Sequence, residues 1–370
     1  MSGRGSAERR DPEATPWPVR ISATEAVREL TELSERAVKG IDILSRTPDE
    51  AIEPGVTPKE EVWRDGNVVL YRYTPIVERP HPIPLLITYA LVNRPYMVDL
   101  QEDRSIVRHL LELGIDVYLI DWGYPTSNDR WLTLDDYING FMNDCVDYLL
   151  DAHDLEQVNL LGICQGGTFS LCYSALHPEK VKNLVTMVAP VDFHVHGLLN
   201  QWAQCIDVDL MVDALGNVPG EFLNWGFLML RPFQLNFRKY LDVLDVLDDE
   251  RKLQNFLRME KWIFDSPDQA GEAYRQFMKD FYLGNKLVRD EVRIGGQQVR
   301  LGDVRMPVLN LYAEEDHLVP PPSSIALGEY VGTSDYTARS FPVGHIGMYV
   351  SGKVQRDLPP TIADWLKERG

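Results

Sequence analysis

Positive charge is the first thing this sequence is short of. Its 37 lysines and arginines face 56 aspartates and glutamates, a formal net charge of -19. A nucleic-acid partner requires a basic stripe that displaces counterions, so nucleic acid is excluded as the main partner. The excess reads as a solvated acidic surface. Cysteine is scarce as well: Cys145, Cys164, Cys172 and Cys205 are the only four in 370 residues. That is too few for a disulfide framework, and with no Cys-x-x-Cys pair a zinc site is not expected. Reduced thiols in the cytoplasm are the natural reading. Long uninterrupted apolar runs are also missing, even where charge is absent. The uncharged stretch that stands out, Val158 to Pro178, is interrupted by Gly162, Gln165, Gly166, Gly167 and several hydroxyl side chains. It reads as a buried strand, turn and helix, not a membrane span. Residues 1–20 mix Arg4, Arg9 and Arg10 with Glu8, Asp11 and Glu13 and lack an apolar h-region, so a disordered lead-in is expected there and not a signal peptide. Internal repeats and low-complexity tracts do not occur.

What is present points to one catalytic core with a large insertion. The chain is 44% apolar, enough to bury a sizeable core. Over 21–60 a helical segment is predicted: Ser22-x-x-Glu25 forms a capping box, and Ala23, Val27, Leu30, Leu33, Ala37 and Leu44 follow near helical spacing. Its apolar stripe is expected to pack on the core. The first part of the core spans 61–193. Glu61–Tyr73 predicts a hairpin turning at Asp65-Gly66. Strands are predicted at Ile83–Leu91, Asp116–Asp121, Gln157–Gly162 and Val181–Val188. Helices are predicted at Glu102–Leu113, closed by Gly114, from Thr133-x-x-Asp136 to about Ala152, and at Gly166–Leu176. This alternation implies βαβ crossovers and a mainly parallel sheet with helices on both faces, an α/β fold. The pattern breaks at about Phe193. Residues 194–300 carry Trp202, Trp225, Phe227, Phe233, Phe237, Trp262 and Phe264 with irregular helical spacing. They read as an inserted helical cap whose aromatics mostly form its own core. The core resumes over 301–370, with strands at Pro307–Ala313 and Tyr336–Phe341 and a last helix from about Leu358 to Arg369.

Gly162-Ile163-Cys164-Gln165-Gly166 has the form of a nucleophile elbow, G-x-S-x-G, with cysteine in place of serine. The elbow needs a strand before it and a helix after it, and both are predicted here. It marks the α/β-hydrolase fold. The flanking glycines let backbone pass close to the strained turn, and the following helix aims its N-terminus at the sulfur, which favours a thiolate. In this fold an acid follows a late strand and a histidine follows the last one. Asp316 and His345 hold those places. Glu314 and Glu315 compete for the acid role, and Asp316 is preferred because Asp316-His317-Leu318-Val319-Pro320 reads as the turn where such acids sit. Of the eight histidines, His81, His109, His153 and His177 are expected on the surface, and His194 and His196 at the cap entry. His345 would take the Cys164 proton while Asp316 holds its tautomer. The oxyanion hole would use backbone N–H groups of Gln165 and of Val92, with Asn93 as the alternative second donor. His317 and Asn93 are candidate site-lining residues.

The elbow Gly-Ile-Cys-Gln-Gly-Gly at 162–167 resembles that of the poly(3-hydroxyalkanoate) synthases. Three further segments resemble the catalytic subunit of the class III enzymes: Ala90–Met97, Tyr118–Tyr124 and Gly344–Gly352. So does Met259–Asp268, within the cap. The resemblance covers roughly Ala51 to the C-terminus. It implies that (R)-3-hydroxybutyryl-CoA, or a related (R)-3-hydroxyacyl-CoA, acylates Cys164 with release of CoA. The hydroxyl of one acyl unit then attacks another thioester, with Asp316 also proposed for hydroxyl activation. It implies a second, dissimilar subunit of the PhaE type, a homo-dimer or larger complex, a cytoplasmic place at the surface of polyester granules, and no cofactor, since coenzyme A is part of the substrate and a product. Cysteine suits such chemistry. Exchange of one thioester for another keeps the acyl group activated, and a hydroxyl then attacks downhill to an oxoester. A thiol hydrolase of the same fold, either a depolymerase or an enzyme like dienelactone hydrolase, is the rival reading. A non-catalytic granule-surface protein that kept the fold is a third.

Overall fold

Short apolar runs build the frame. In the computed structural model, which describes residues 23–48, 52–232, 243 and 246–370, eight strands form one sheet. They are β1 (Lys59–Asp65), β2 (Val68–Tyr73), β3 (Leu85–Thr88), β4 (Val117–Asp121), β5 (Val158–Ile163), β6 (Val181–Met187), β7 (Val308–Ala313) and β8 (Tyr336–Phe341), in the order β1-β2-β4-β3-β5-β6-β7-β8. Strands β1 and β2 pair antiparallel, as do β2 and β4; every other pairing is parallel. Every residue of β3, β4 and β5 is buried, which is why these strands are apolar on both faces instead of alternating. Leu86, Ile87, Leu160 and Leu161 are fully buried, each contributing roughly 1.5–3 kcal/mol.

The connections cover both faces. Helices α1 (Ala23–Arg46), α2 (Ile106–Glu112), α3 (Asn143–His153) and α4 (Gln165–Leu176) precede the insertion. Helices α3 and α4 pack on one face, while α2 and the C-terminal helix pack on the other. The insertion leaves after β6 and returns before β7, which is β6's neighbour in the sheet. It holds α5 (Leu198–Ala203), α6 (Val208–Leu215), α7 (Gly220–Met229), α8 (Glu250–Phe264) and α9 (Gly271–Phe277). The last helix is α10 (Gly352–Lys367). No helix among the described residues is long and apolar enough to cross a membrane.

Several local expectations change. The first hairpin turns on Gly66-Asn67, because Asp65 pairs with Val68 and Gly66 takes φ +54°. Residues 99–105 form a two-stranded hairpin, and α2 starts at Ile106, where Ser105 caps it by accepting from Arg108 N. The segment opened by Thr133 begins with a π-helical stretch, Asp136–Met142, before α3. Helix α10 starts at Gly352, well before Leu358, and runs through Pro359 and Pro360, held by a buried stripe that includes Val354, Leu358, Ile362 and Trp365. The stripe of α1 is not covered by the core: Val27, Leu33 and Leu44 are exposed, because the helix touches the body mainly around Gly40 and Ile43. In the insertion, Trp202, Trp225 and Phe264 are exposed and do not form its core, whereas Trp262 is buried. His81, His109, His153 and His177 are half-buried, each with a hydrogen-bond partner. The lead-in 1–20, the Ser22 cap, Phe233 and Phe237 lie outside the described residues.

Candidate active site

The site grows from the end of β5. Cys164 follows β5 directly and precedes the first residue of α4, with φ 54° and ψ −123°. A side chain in that region is strained and is held there by its surroundings. Gly166 shows how tightly the turn is pressed: a Cβ there would lie 2.2 Å from Thr88 O and 2.5 Å from Tyr89 O, at the end of β3. Cys164 N donates to Met187 O at 2.9 Å, tying the turn to β6. Cys164 is also the N-cap position of α4, and its side chain makes no capping bond. The amides of Gly167 and Thr168 donate to Cys164 O instead, closing the first turn of α4 on the backbone of the cysteine.

The other two groups arrive from β7 and β8. The loops that follow these parallel strands stay zipped by backbone bonds, Glu314 N to Phe341 O at 2.9 Å and Glu315 N to Val343 O at 3.0 Å. Asp316 Oδ1 accepts from the amides of Leu318 and Val319, each at 2.9 Å, and Oδ2 accepts from His345 Nδ1 at 2.7 Å. Both side chains are buried. With Nδ1–H committed to Asp316, Nε2 is left for Cys164, which lines the same cavity and acts on the His345 ring electrostatically. Burial disfavours a charged imidazole, yet the Asp316 carboxylate and Cys164 outweigh it and raise His345 to about 10. Glu314 and Glu315 are exposed, and Glu314 accepts instead from Ser340 Oγ. Of the three adjacent carboxylates, Asp316 is the one bonded to the imidazole.

These groups open onto a cavity of about 180 Å³ roofed by the insertion. Cys164, Gln165, His345, Val92, Asn93 and His317 all line it, and Asp316 stands behind His345. The roof is apolar, with Leu199, Phe227, Leu228, Trp262, Ile263 and Phe277. His317 is pushed down to about 4 by burial and then by Arg231, so it is neutral at physiological pH. Asn93 takes φ +59°, and its side chain turns to the insertion, donating to Ser266 Oγ at 2.7 Å. Sequence reasoning missed Tyr89, Tyr349, Asn224 and Tyr282, which also line the cavity. Tyr89 could have been found from its place just past the carboxyl end of a central parallel strand, where such sheets bind ligands. Among the described residues, no group of three or more His, Cys, Asp or Glu side chains is arranged to hold a metal ion.

Comparison with known proteins fits this architecture. An alpha/beta hydrolase fold family matches residues 84–351, and the family "Poly-beta-hydroxybutyrate polymerase (PhaC) N-terminus" matches residues 37–110. The chain is 60% identical over 362 residues to the poly(3-hydroxyalkanoate) polymerase subunit PhaC of Synechocystis sp., covering 96% of each chain. It is 56% identical over 356 residues to the protein of that name from Allochromatium vinosum, covering 95% of this chain and all of that one. Among solved structures, a hydrolase from Pseudomonas aeruginosa superposes with a TM-score of 0.51 at 14% identity, over 85% of this chain and 99% of that one. That likeness speaks to the fold alone.

Proposed function

The chain belongs to the PhaC family of poly(3-hydroxyalkanoate) polymerases, and from that premise we propose that it polymerises (R)-3-hydroxybutyryl units from their CoA thioester through a Cys164 acyl-enzyme. The observation that carries this reading is a cysteine elbow that shares an apolar cavity with a buried histidine–aspartate pair.

His345 Nε2 takes the proton of Cys164 Sγ as the sulfur attacks the thioester carbonyl. The backbone N–H groups of Gln165 and Val92 hold the tetrahedral oxyanion. The carbon–sulfur bond to CoA breaks, His345 returns the proton to the leaving thiol, and the acyl group remains on Cys164. The hydroxyl of another acyl unit then attacks that thioester, His345 takes its proton, an oxoester forms and Cys164 is regenerated. Asp316 holds the imidazole and balances its charge throughout. No cofactor is required beyond the CoA carried by the substrate.

Cavity size favours a short acyl group. A void of about 150 Å³ holds a benzene-sized molecule, and a 3-hydroxybutyryl unit is of that size, against about 180 Å³ here. The apolar roof would keep water from the acyl-enzyme. The exposed apolar residues of α1 and of the insertion, among them Ile41, Trp225 and Phe264, suit contacts with a PhaE-type second subunit, a second copy of the chain or the surface of a cytoplasmic polyester granule.

The test mixes the purified chain with (R)-3-hydroxybutyryl-CoA, follows thiol release, and looks for sedimenting polymer, with and without a PhaE-type subunit. Release with polymer, lost in Cys164→Ala and raised by the second subunit, is the expected result. Release with only soluble hydroxyacid would replace this reading with a thiol hydrolase.

A further inference from the structure

The segment that carries the second oxyanion donor is held from two sides. Leu91, the residue before Val92, has both backbone polar groups engaged by glutamine side chains. Its N–H donates to Gln165 Oε1 at 3.0 Å, and its carbonyl accepts from Gln269 Nε2 at 2.8 Å; both bonds are buried. Gln165 stands next to the nucleophile, so one residue supplies the first donor through its backbone and fixes the second through its side chain. Gln269 belongs to the insertion, where its own backbone is clamped to Val218 by two bonds of 2.8 and 2.9 Å. Two more ties follow the same division. Tyr89 O accepts from Trp122 of the core at 2.9 Å, and Arg94 O accepts from Trp262 of the insertion at 2.8 Å.

We propose that Gln269 is a positioning residue that couples the insertion to the oxyanion hole, so that the Val92 N–H is aimed at the reacting carbonyl only while the insertion is seated. This inference rests on the cysteine mechanism proposed above and deepens it. Without Gln269 the Leu91 carbonyl is buried and unpaired, and the peptide carrying the Val92 N–H shares that Leu91 carbonyl, so a tilt of the plane moves the donor directly. An oxyanion donor acts only when fixed at the right distance, and losing one costs about 10²–10³ in rate. A donor loosened but not removed should cost less, about ten- to a hundredfold. The device has a chemical use. An acyl-enzyme formed under a seated roof is reactive, whereas one exposed by a lifted roof has lost half of its oxyanion hole and is slow to hydrolyse.

The experiment compares wild type with Gln269→Met, which keeps the shape and removes the donor, and Gln269→Glu, which places an acceptor against the Leu91 carbonyl. Three quantities are read: kcat and KM for CoA release, the rate of Cys164 alkylation by iodoacetamide, and thermal stability. The expected result is a kcat lowered about ten- to a hundredfold, more in Gln269→Glu, with KM and the alkylation rate within about twofold of wild type. The alkylation rate reports the nucleophile and its base but needs no oxyanion hole, so it separates this effect from general damage. An unchanged kcat in both variants overturns the proposal, as does a fall in kcat matched by an equal fall in alkylation or explained by lost folding. Full CoA release by Cys164→Ala would instead remove the mechanism on which the inference rests.

Discussion

His345 and His317 line the same cavity and are driven in opposite directions. His345 is raised to about 10, burial being outweighed by Asp316 and Cys164, and His317 is lowered to about 4 by burial and the nearby Arg231. The unfolded value for both lies near 6.5. The raised group stabilises the fold fully below about 6.5 and loses that contribution as pH rises towards about 10. The lowered group contributes above about 6.5 and loses its share as pH falls towards about 4. Two limbs follow in a plot of unfolding free energy against pH. Asp316→Asn should flatten the alkaline limb and His317→Gln the acid limb, as chemical denaturation between about pH 4 and 10 would register. A steeper alkaline limb in Asp316→Asn would contradict the assignment. Both residues were visible in the sequence: His345 from the fixed place of a histidine after the last strand, and His317 because it adjoins the post-strand acid. Their opposite titration was not visible, because it depends on Arg231 and on burial beneath the insertion.

Element packing explains why the elbow glycines are there. Helix α4 rests its first turn on the last carbonyls of β3, and Gly166 is the point of contact. In Gly166→Ala a methyl carbon would meet backbone oxygen at 2.2 Å, with no flexible side chain to yield. The helix must move off the sheet, which carries Cys164 and Gln165 with it. A loss of roughly 3 kcal/mol or more is expected from overpacking, and CoA release should fall below detection even in the folded fraction; a variant of wild-type stability and rate would refute this contact. The frame of strands and helices was legible because buried parallel strands are continuous apolar runs and glycines close them. The 99–105 hairpin was hidden by its shortness, and the early start of α10 by the paired prolines Pro359 and Pro360 inside it. The insertion resisted most. Its helices α6 and α7 leave Leu210, Phe222 and Trp225 to solvent, so apolar spacing there does not report which face is inward.

At the scale of the molecule, a net charge of -19 bears on the substrate proposed above, a multiply anionic CoA thioester. Approach is opposed by the overall field, and salt screens that field over about 10 Å at 0.1 M. Raising ionic strength from about 20 to 200 mM should therefore lower KM for the CoA thioester severalfold and leave kcat unchanged. A KM that rises with salt would mean that basic residues around the cavity mouth dominate the approach. One last property comes from the sheet order. The insertion departs at the end of β6 and re-enters at the start of β7, and these strands lie side by side. The excursion therefore begins and ends on neighbouring strands, whatever its length. Beyond the dozen or so residues that a parallel crossover needs, the frame sets no length for what hangs between them, so the roof can be lengthened or exchanged while every strand, and with them Cys164, His345 and Asp316, stays where it is. New substrates are open to this architecture as long as a new roof keeps the tie from Gln269 to the Leu91 carbonyl.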